Sequence, residues 1–156
     1  MRVLTDAAVL IFLAKASLLE VLKKLYGKVY VSDEVLREVL RGATPEKEAI
    51  VEKVGDWIVE VKVNKSEEEL ERASRPLGLD PGEYSLALIY KSGDAIILAN
   101  GRAERKIKEN FGCLVKDILE IGYEASSAGI VDIKQFAEAI FKVGYRTRRV
   151  RRILGG

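Results

Sequence analysis

The chain has 156 residues, 48% of them hydrophobic and 32% charged, with 26 Lys and Arg against 24 Asp and Glu, a formal charge of +2. This length fits one domain with a real core, ~100–150 residues being usual, and leaves no room for a second catalytic domain; the composition is globular rather than disordered. There is no histidine and one cysteine, Cys113, which excludes Ser-His-Asp chemistry, imidazole acid/base catalysis, His-ligated or thiolate zinc and any internal disulfide. Hydrolysis by this chain has to run on carboxylates and a hard cation. Cysteine usage fits a reducing cytoplasm, and the flanks of Cys113 read as a buried strand with the thiol as a small core residue. No apolar run approaches the ~20 residues that span a bilayer, so no membrane segment is expected.

In chain order, the β-type runs are Arg2 to Thr5, Lys28 to Val31, Trp57 to Val63, Ala95 to Leu98 and Cys113 to Val115. Helical stretches alternate with them, a pattern that predicts an α/β fold with a mainly parallel sheet. Trp57, Val59, Val61 and Val63 alternate with Ile58, Glu60 and Lys62, as in an edge strand, whereas Ala95 to Leu98 is apolar throughout and reads as central.

The helix signals fall between the strands. Asp6 can cap a first helix; Ser17 can cap a helix with Leu18, Leu22 and Leu25 on one stripe, ending at Gly27; Ser32 can cap another carrying Val35, Leu36, Val39 and Leu40 before Gly42. Pro45 opens a charged helix that stops near Gly55. Ser66 with Glu69 forms a capping box, and Asp80-Pro81-Gly82-Glu83 combines an N-cap, a proline at the first helical position and a reaching carboxylate. Further helices start near Arg102, Asp117 and Asp132. Arg146, Arg148, Arg149, Arg151 and Arg152 crowd into the tail, where Thr147 can cap a short basic helix spanning about 146–154 with Val150, Ile153 and Leu154 on one side. Without these five arginines the chain is net acidic.

In a parallel sheet the loops leaving the carboxyl ends of the strands converge on one edge, where ligands bind. Asp6 follows the first strand, Asn100-Gly101 follows the fourth and Asp117 follows the fifth, while helices beginning at that rim can project Glu38 and Glu83 toward it. Clustered oxygens of this kind suit magnesium or manganese.

The segments Thr5-Asp6-Ala7-Ala8-Val9-Leu10-Ile11, Val31 to Val39, Leu79-Asp80-Pro81-Gly82-Glu83 and Ile97-Leu98-Ala99-Asn100-Gly101-Arg102 resemble, in order and spacing, the PIN-domain family, in particular its VapC-like toxin ribonuclease branch. The resemblance implies a five-stranded parallel sheet in the order 3-2-1-4-5, flanked by helices in one domain over 1–156. It also implies a Mg2+- or Mn2+-dependent endoribonuclease cleaving single-stranded RNA. In that pattern Asp6, Glu38 and Glu83 are catalytic metal ligands. The family expects a fourth carboxylate after the fourth strand, where this chain has Asn100-Gly101. Asn100 becomes an accessory ligand through its carbonyl oxygen; Asp117 is an alternative source of charge, although it reads first as a helix cap.

Arg102, Arg146, Arg148, Arg149, Arg151 and Arg152 are the expected contacts to RNA phosphates or to a protein partner, with a merely solvated helix face as the equal alternative for the tail arginines. A small antitoxin, a homodimer and a cytoplasmic location complete what the resemblance implies. Each carboxylate also has a purely structural explanation: Asp6 as a cap, Glu38 on a solvated face with Glu34 and Arg37, and Glu83 in its capping box. The alternative function is therefore a catalytically inactive PIN-like module that binds RNA or protein, with Gly101 as its motivation. An unrelated flavodoxin-like or receiver-like domain is a third reading.

Overall fold

The computed structural model describes residues 1–42, 45–90 and 94–155. Five short strands, β1 (Arg2–Thr5), β2 (Val29–Ser32), β3 (Ile58–Val61), β4 (Ala95–Leu98) and β5 (Val115–Lys116), form one all-parallel sheet in the order β3-β2-β1-β4-β5. That is the topology expected of the sequence. β4 lies centrally beside β1, with Thr5 opposite Leu98, and its residues are buried or nearly so. β3 is an edge strand, paired only with β2, and its burial falls along the strand from buried Ile58 to exposed Glu60.

Helices flank the sheet: α1 (Ala7–Lys15), α2 (Glu20–Tyr26), α3 (Asp33–Arg41), α4 (Pro45–Val51), α5 (Glu67–Ser74), α6 (Pro81–Ile89), α7 (Gly101–Phe111), α8 (Ile118–Ser127), α9 (Ile133–Lys142) and α10 (Arg148–Ile153), with a 3-10 turn at Arg75–Leu77 between α5 and α6. Most begin where sequence logic puts them. Asp6, Ser32, Ser66, Asp80, Asp117, Asp132 and Thr147 each accept a hydrogen bond from the backbone N–H three residues on, satisfying donors that the first helical turn leaves unpaired. Among the described residues no helix is long and apolar enough to cross a membrane.

Two local expectations give way to packing. Ser17 does not cap α2; it adopts a left-handed conformation, φ +59, in the turn that closes α1, and α2 starts after Leu19 with no side-chain cap. The apolar stripe of α3 is also rotated from the expected one. Val35 and Val39 are buried, but Leu40 is 45% exposed and Glu34 only 1%. Glu34 tolerates that burial because Arg37 Nη1 donates to it at 2.7 Å, pairing the charge where desolvation is costly.

A buried hydroxyl relay ties α3 to α6. Ser32 Oγ accepts from Val35 N at 2.9 Å and lies 2.5 Å from Ser85 Oγ, which donates to the Gly82 carbonyl at 2.6 Å. Each hydroxyl has one proton, so Ser32 donates to Ser85 and Ser85 to Gly82. The relay sets the start of α6 against α3 and therefore the spacing of the groups these helices present at the rim. Ser85→Ala strands the Ser32 proton in a dry interior, at a cost of about 1–3 kcal/mol; a urea midpoint equal to that of wild type would show that the relay adds nothing.

Candidate functional site

The carboxyl ends of β1 and β2, the first turns of α1 and α6 and the middle of α3 meet at one edge of the sheet. A cavity of about 40 Å³ opens there, lined among others by Asp6, Val35, Glu38, Asp80, Gly82 and Glu83. The three carboxylates expected from the sequence thus face the same space, although they come from α1, α3 and α6. Asp6 is 4% exposed, and its Oδ1 accepts from Val9 N at 2.8 Å. Glu38 is held by Gly82, whose N–H donates to Oε1 at 3.1 Å. Glu83 Oε1 accepts from Asp80 N at 3.0 Å while Asp80 Oδ1 accepts from Glu83 N at 2.7 Å, the reciprocal capping box of α6. Capping and site-building are therefore the same set of bonds, not rival explanations of Glu83.

Two members of this wall were not singled out from the sequence. Asp80 reads locally as a helix cap, yet it sits at the cavity's edge and its charge acts on Asp6, Glu38 and Glu83. It is a fourth carboxylate, delivered by α6 rather than by the loop after β4. Gly82 is buried, and a Cβ there would lie 2.9 Å from Glu38 Cδ, so only glycine lets Glu38 reach its backbone N–H. The tetrapeptide Asp80-Pro81-Gly82-Glu83 carried both signals, but capping accounted for its residues without the contact across to α3.

The segment after β4 is arranged differently from the expectation. Asn100 is not part of the cavity wall. It precedes α7 without capping it, and its Oδ1 accepts from Ile118 N at 2.9 Å, which turns the side chain toward α8. Gly101 opens α7 in a left-handed conformation, φ +56, which disfavours most side chains. Asp117 is committed elsewhere too: Oδ1 accepts from Glu120 N at 2.8 Å and Oδ2 accepts from Arg149.

A second acidic group surrounds Asp117. Oxygens of Glu104, Asp117 and Glu120 lie within 4.8 Å of one another, and this is the tightest such trio among the described residues. It already has internal cations. Arg149 of α10 pairs with Asp117, which is 4% exposed, and Lys108 lies 3.4 Å from Glu104. Of the tail arginines, Arg146 and Arg151 lie over the Phe141 ring at 4.8 and 6.0 Å and donate to the Phe141 and Arg146 carbonyls. Arg148 and Arg152 are exposed. Arg102, at the start of α7, lies away from this cluster and acts electrostatically on Glu83.

A family model of the PIN domain matches residues 2–152. The chain belongs to the PIN-domain family. No curated protein and no solved structure matches it. A PIN domain implies a nuclease-type fold and a divalent cation, and the donor set at the cavity can be tested against that.

Burial raises the Asp6 carboxyl to about 7, reinforced by the charges of Glu83 and Asp80 and opposed by the Val9 hydrogen bond. Burial, then Asp80 and Glu83, raises Glu38 to about 8 against the Gly82 hydrogen bond. Glu83 rises to about 7, again chiefly by burial. None of these carboxylates has an ion-pair partner among the described residues, although Arg102 acts on Glu83 from a distance, and hard oxygen donors around a space of this size, with ~10–15 Å³ sufficient for a water, fit a magnesium- or manganese-class ion. Asp6, Glu38, Asp80 and Glu83 are the residues that would hold it.

Two outcomes follow from this geometry. In Gly82→Ala the flexible Glu38 carboxylate swings away, so the fold survives by circular dichroism while Mn2+ affinity, read by electron paramagnetic resonance titration, falls about tenfold for a lost ligand; unchanged affinity would remove Glu38 from the site. The second concerns pH. Asp6, Glu38 and Glu83 start from ordinary values of 3.8, 4.5 and 4.5 and rise to about 7, 8 and 7 on folding, so between pH ~4 and ~8 the native state binds more protons than the unfolded one. Metal-free protein is therefore most stable in the acidic part of that window and loses stability as pH rises through the folded values. Added Mn2+ should raise the melting temperature more at pH 8 than at pH 6; equal shifts at both would contradict the assignment.

Proposed function

We propose that this PIN domain is a metal-dependent endoribonuclease acting on single-stranded RNA, with Asp6, Glu38, Asp80 and Glu83 around its cation. The observation that carries the proposal is the convergence of four carboxylates from three elements on one cavity at the carboxyl edge of a parallel sheet. When bound, a divalent cation supplies positive charge beside the scissile phosphodiester and acidifies a coordinated water. The protein's own contribution is positional. The Val9 N–H fixes Asp6, the Gly82 N–H fixes Glu38, and the Asp80–Glu83 capping box holds the last two carboxylates in register. Arg102, which is near enough to act on Glu83, is placed to neutralise a phosphate approaching the cavity.

On the ground of the motif resemblance we extend the proposal to a cytoplasmic toxin of VapC type, working as a homodimer and neutralised by a small antitoxin. The second reading, a catalytically silent domain that binds RNA or protein, is favoured by one observation: the chain after β4 offers the cavity neither a carboxylate nor the Asn100 side chain.

Single-stranded RNA incubated with Mn2+ and either wild type or Asp6→Asn separates these readings. The nuclease requires cleavage by wild type and a loss of about 100-fold or more in the variant, the scale expected when ~3 kcal/mol of transition-state stabilisation disappears. Equal rates, or RNA left intact by both proteins, would refute it, and RNA bound but left intact would favour the silent domain.

A further inference from the structure

We propose that single-stranded RNA is held along a groove lined by Arg41, Arg75 and Arg102, which leads its backbone to the acidic cavity, and that the arginine-rich tail takes no part in holding it. The inference rests on the nuclease reading for its choice of ligand and adds to it the binding surface.

The groove measures about 660 Å³, large enough for nucleotides rather than an ion, and Asp80 and Glu83 belong to both its wall and that of the cavity. A strand lying in it therefore passes the carboxylates. Its three arginines come from separate places in the chain, the last turn of α3, the 3-10 turn before α6 and the first turn of α7, and nothing local to the sequence brings them together.

Their present partners are weak competitors for phosphate. Arg41 pairs with Glu67 and Arg75 with Glu71, but all four side chains are between 47% and 76% exposed. Ion pairs so solvated contribute little to stability, whereas a guanidinium can grip a phosphate with two parallel hydrogen bonds. Arg102 has no ion-pair partner among the described residues. Glu71, Asp80 and Glu83 keep the groove from being uniformly basic, which favours a chain carrying spaced phosphates over a dense polyanion.

The tail, although richer in arginine, is already used by the fold. Arg149 neutralises buried Asp117, and Arg146 and Arg151 lie on Phe141 and bond to main-chain carbonyls. Pulling Arg149 onto RNA would expose the Glu104, Asp117 and Glu120 charges to one another, and moving Arg146 or Arg151 would break their contacts with Phe141 and the main chain, which leaves Arg148 and Arg152 as the free arginines of the tail.

The test is fluorescence anisotropy with a fluorescein-labelled 12-nucleotide oligouridylate, in EDTA so that nothing is cleaved. Arg41→Gln/Arg75→Gln should weaken binding about tenfold and lower the slope of log affinity against log salt by about 1.4, at ~0.7 per single-strand phosphate contact. Arg148→Gln/Arg152→Gln should stay within twofold of wild type. Both pairs are exposed, so folding is retained and checked by circular dichroism. A groove variant within twofold of wild type, a tail variant with the larger loss, or no binding by wild type would each overturn the groove. Mn2+-dependent cleavage by wild type distinguishes that failure from failure of the nuclease reading, because a protein that cuts RNA yet ignores the groove substitutions keeps its activity and loses only this surface.

Discussion

Carboxylates crowded at one partly dry cavity either hold protons or hold a cation, and the edge of this sheet is organised around that constraint. Asp6, Glu38 and Glu83 are desolvated by burial and feel the charge of Asp80 at the cavity's edge. The surrounding structure holds them there by backbone hydrogen bonds from Val9, Gly82, Asp80 and Glu83 itself, and by the Ser32–Ser85 relay that keeps α3 and α6 in register. A fold seeking stability alone would separate such charges. Strain of this kind concentrates at sites that bind a charge of the opposite sign.

The same edge contains a counter-example a few residues away. Glu104, Asp117 and Glu120 are at least as crowded, yet their charge is met from within by Arg149 and Lys108. The two acidic clusters on this rim thus differ in how their charge is met: Asp117 and Glu104 have ion-pair partners, whereas Asp6, Glu38, Asp80 and Glu83 have none among the described residues and only feel Arg102 at Glu83. That difference assigns α10 a structural role, because its Val150 is fully buried while the neighbouring Arg149 reaches over to Asp117.

Much of the fold was legible because it follows from local periodicity and capping. The alternation of apolar runs with helical stretches, the edge character of β3 and the central character of β4 depend on burial patterns that repeat every two or about four residues. Seven helix caps could be read from residue type, since a side-chain oxygen three residues before a free N–H satisfies it through contacts local to the chain. Ser17 and the α3 stripe were misread for the complementary reason. Whether a serine caps or turns, and which face of a short helix is covered, is decided by what packs against it, and Arg37 beside Glu34 made a buried carboxylate cheaper than the pattern allows.

By itself the sequence determined the alternation of strands with helices and the absence of histidine chemistry, consequences of periodicity and composition, while its resemblance to the PIN-domain family supplied the strand order and pointed to three carboxylates. Tertiary structure alone decided that Asp80 joins them, that Gly82 must be glycine for Glu38 to reach α6, that Asn100 turns away, and that Arg149 is consumed by Asp117 while Arg41, Arg75 and Arg102 share a groove. Each of these is a contact between elements distant in the chain, and the spacing of residues along a chain carries no information about which distant side chains meet.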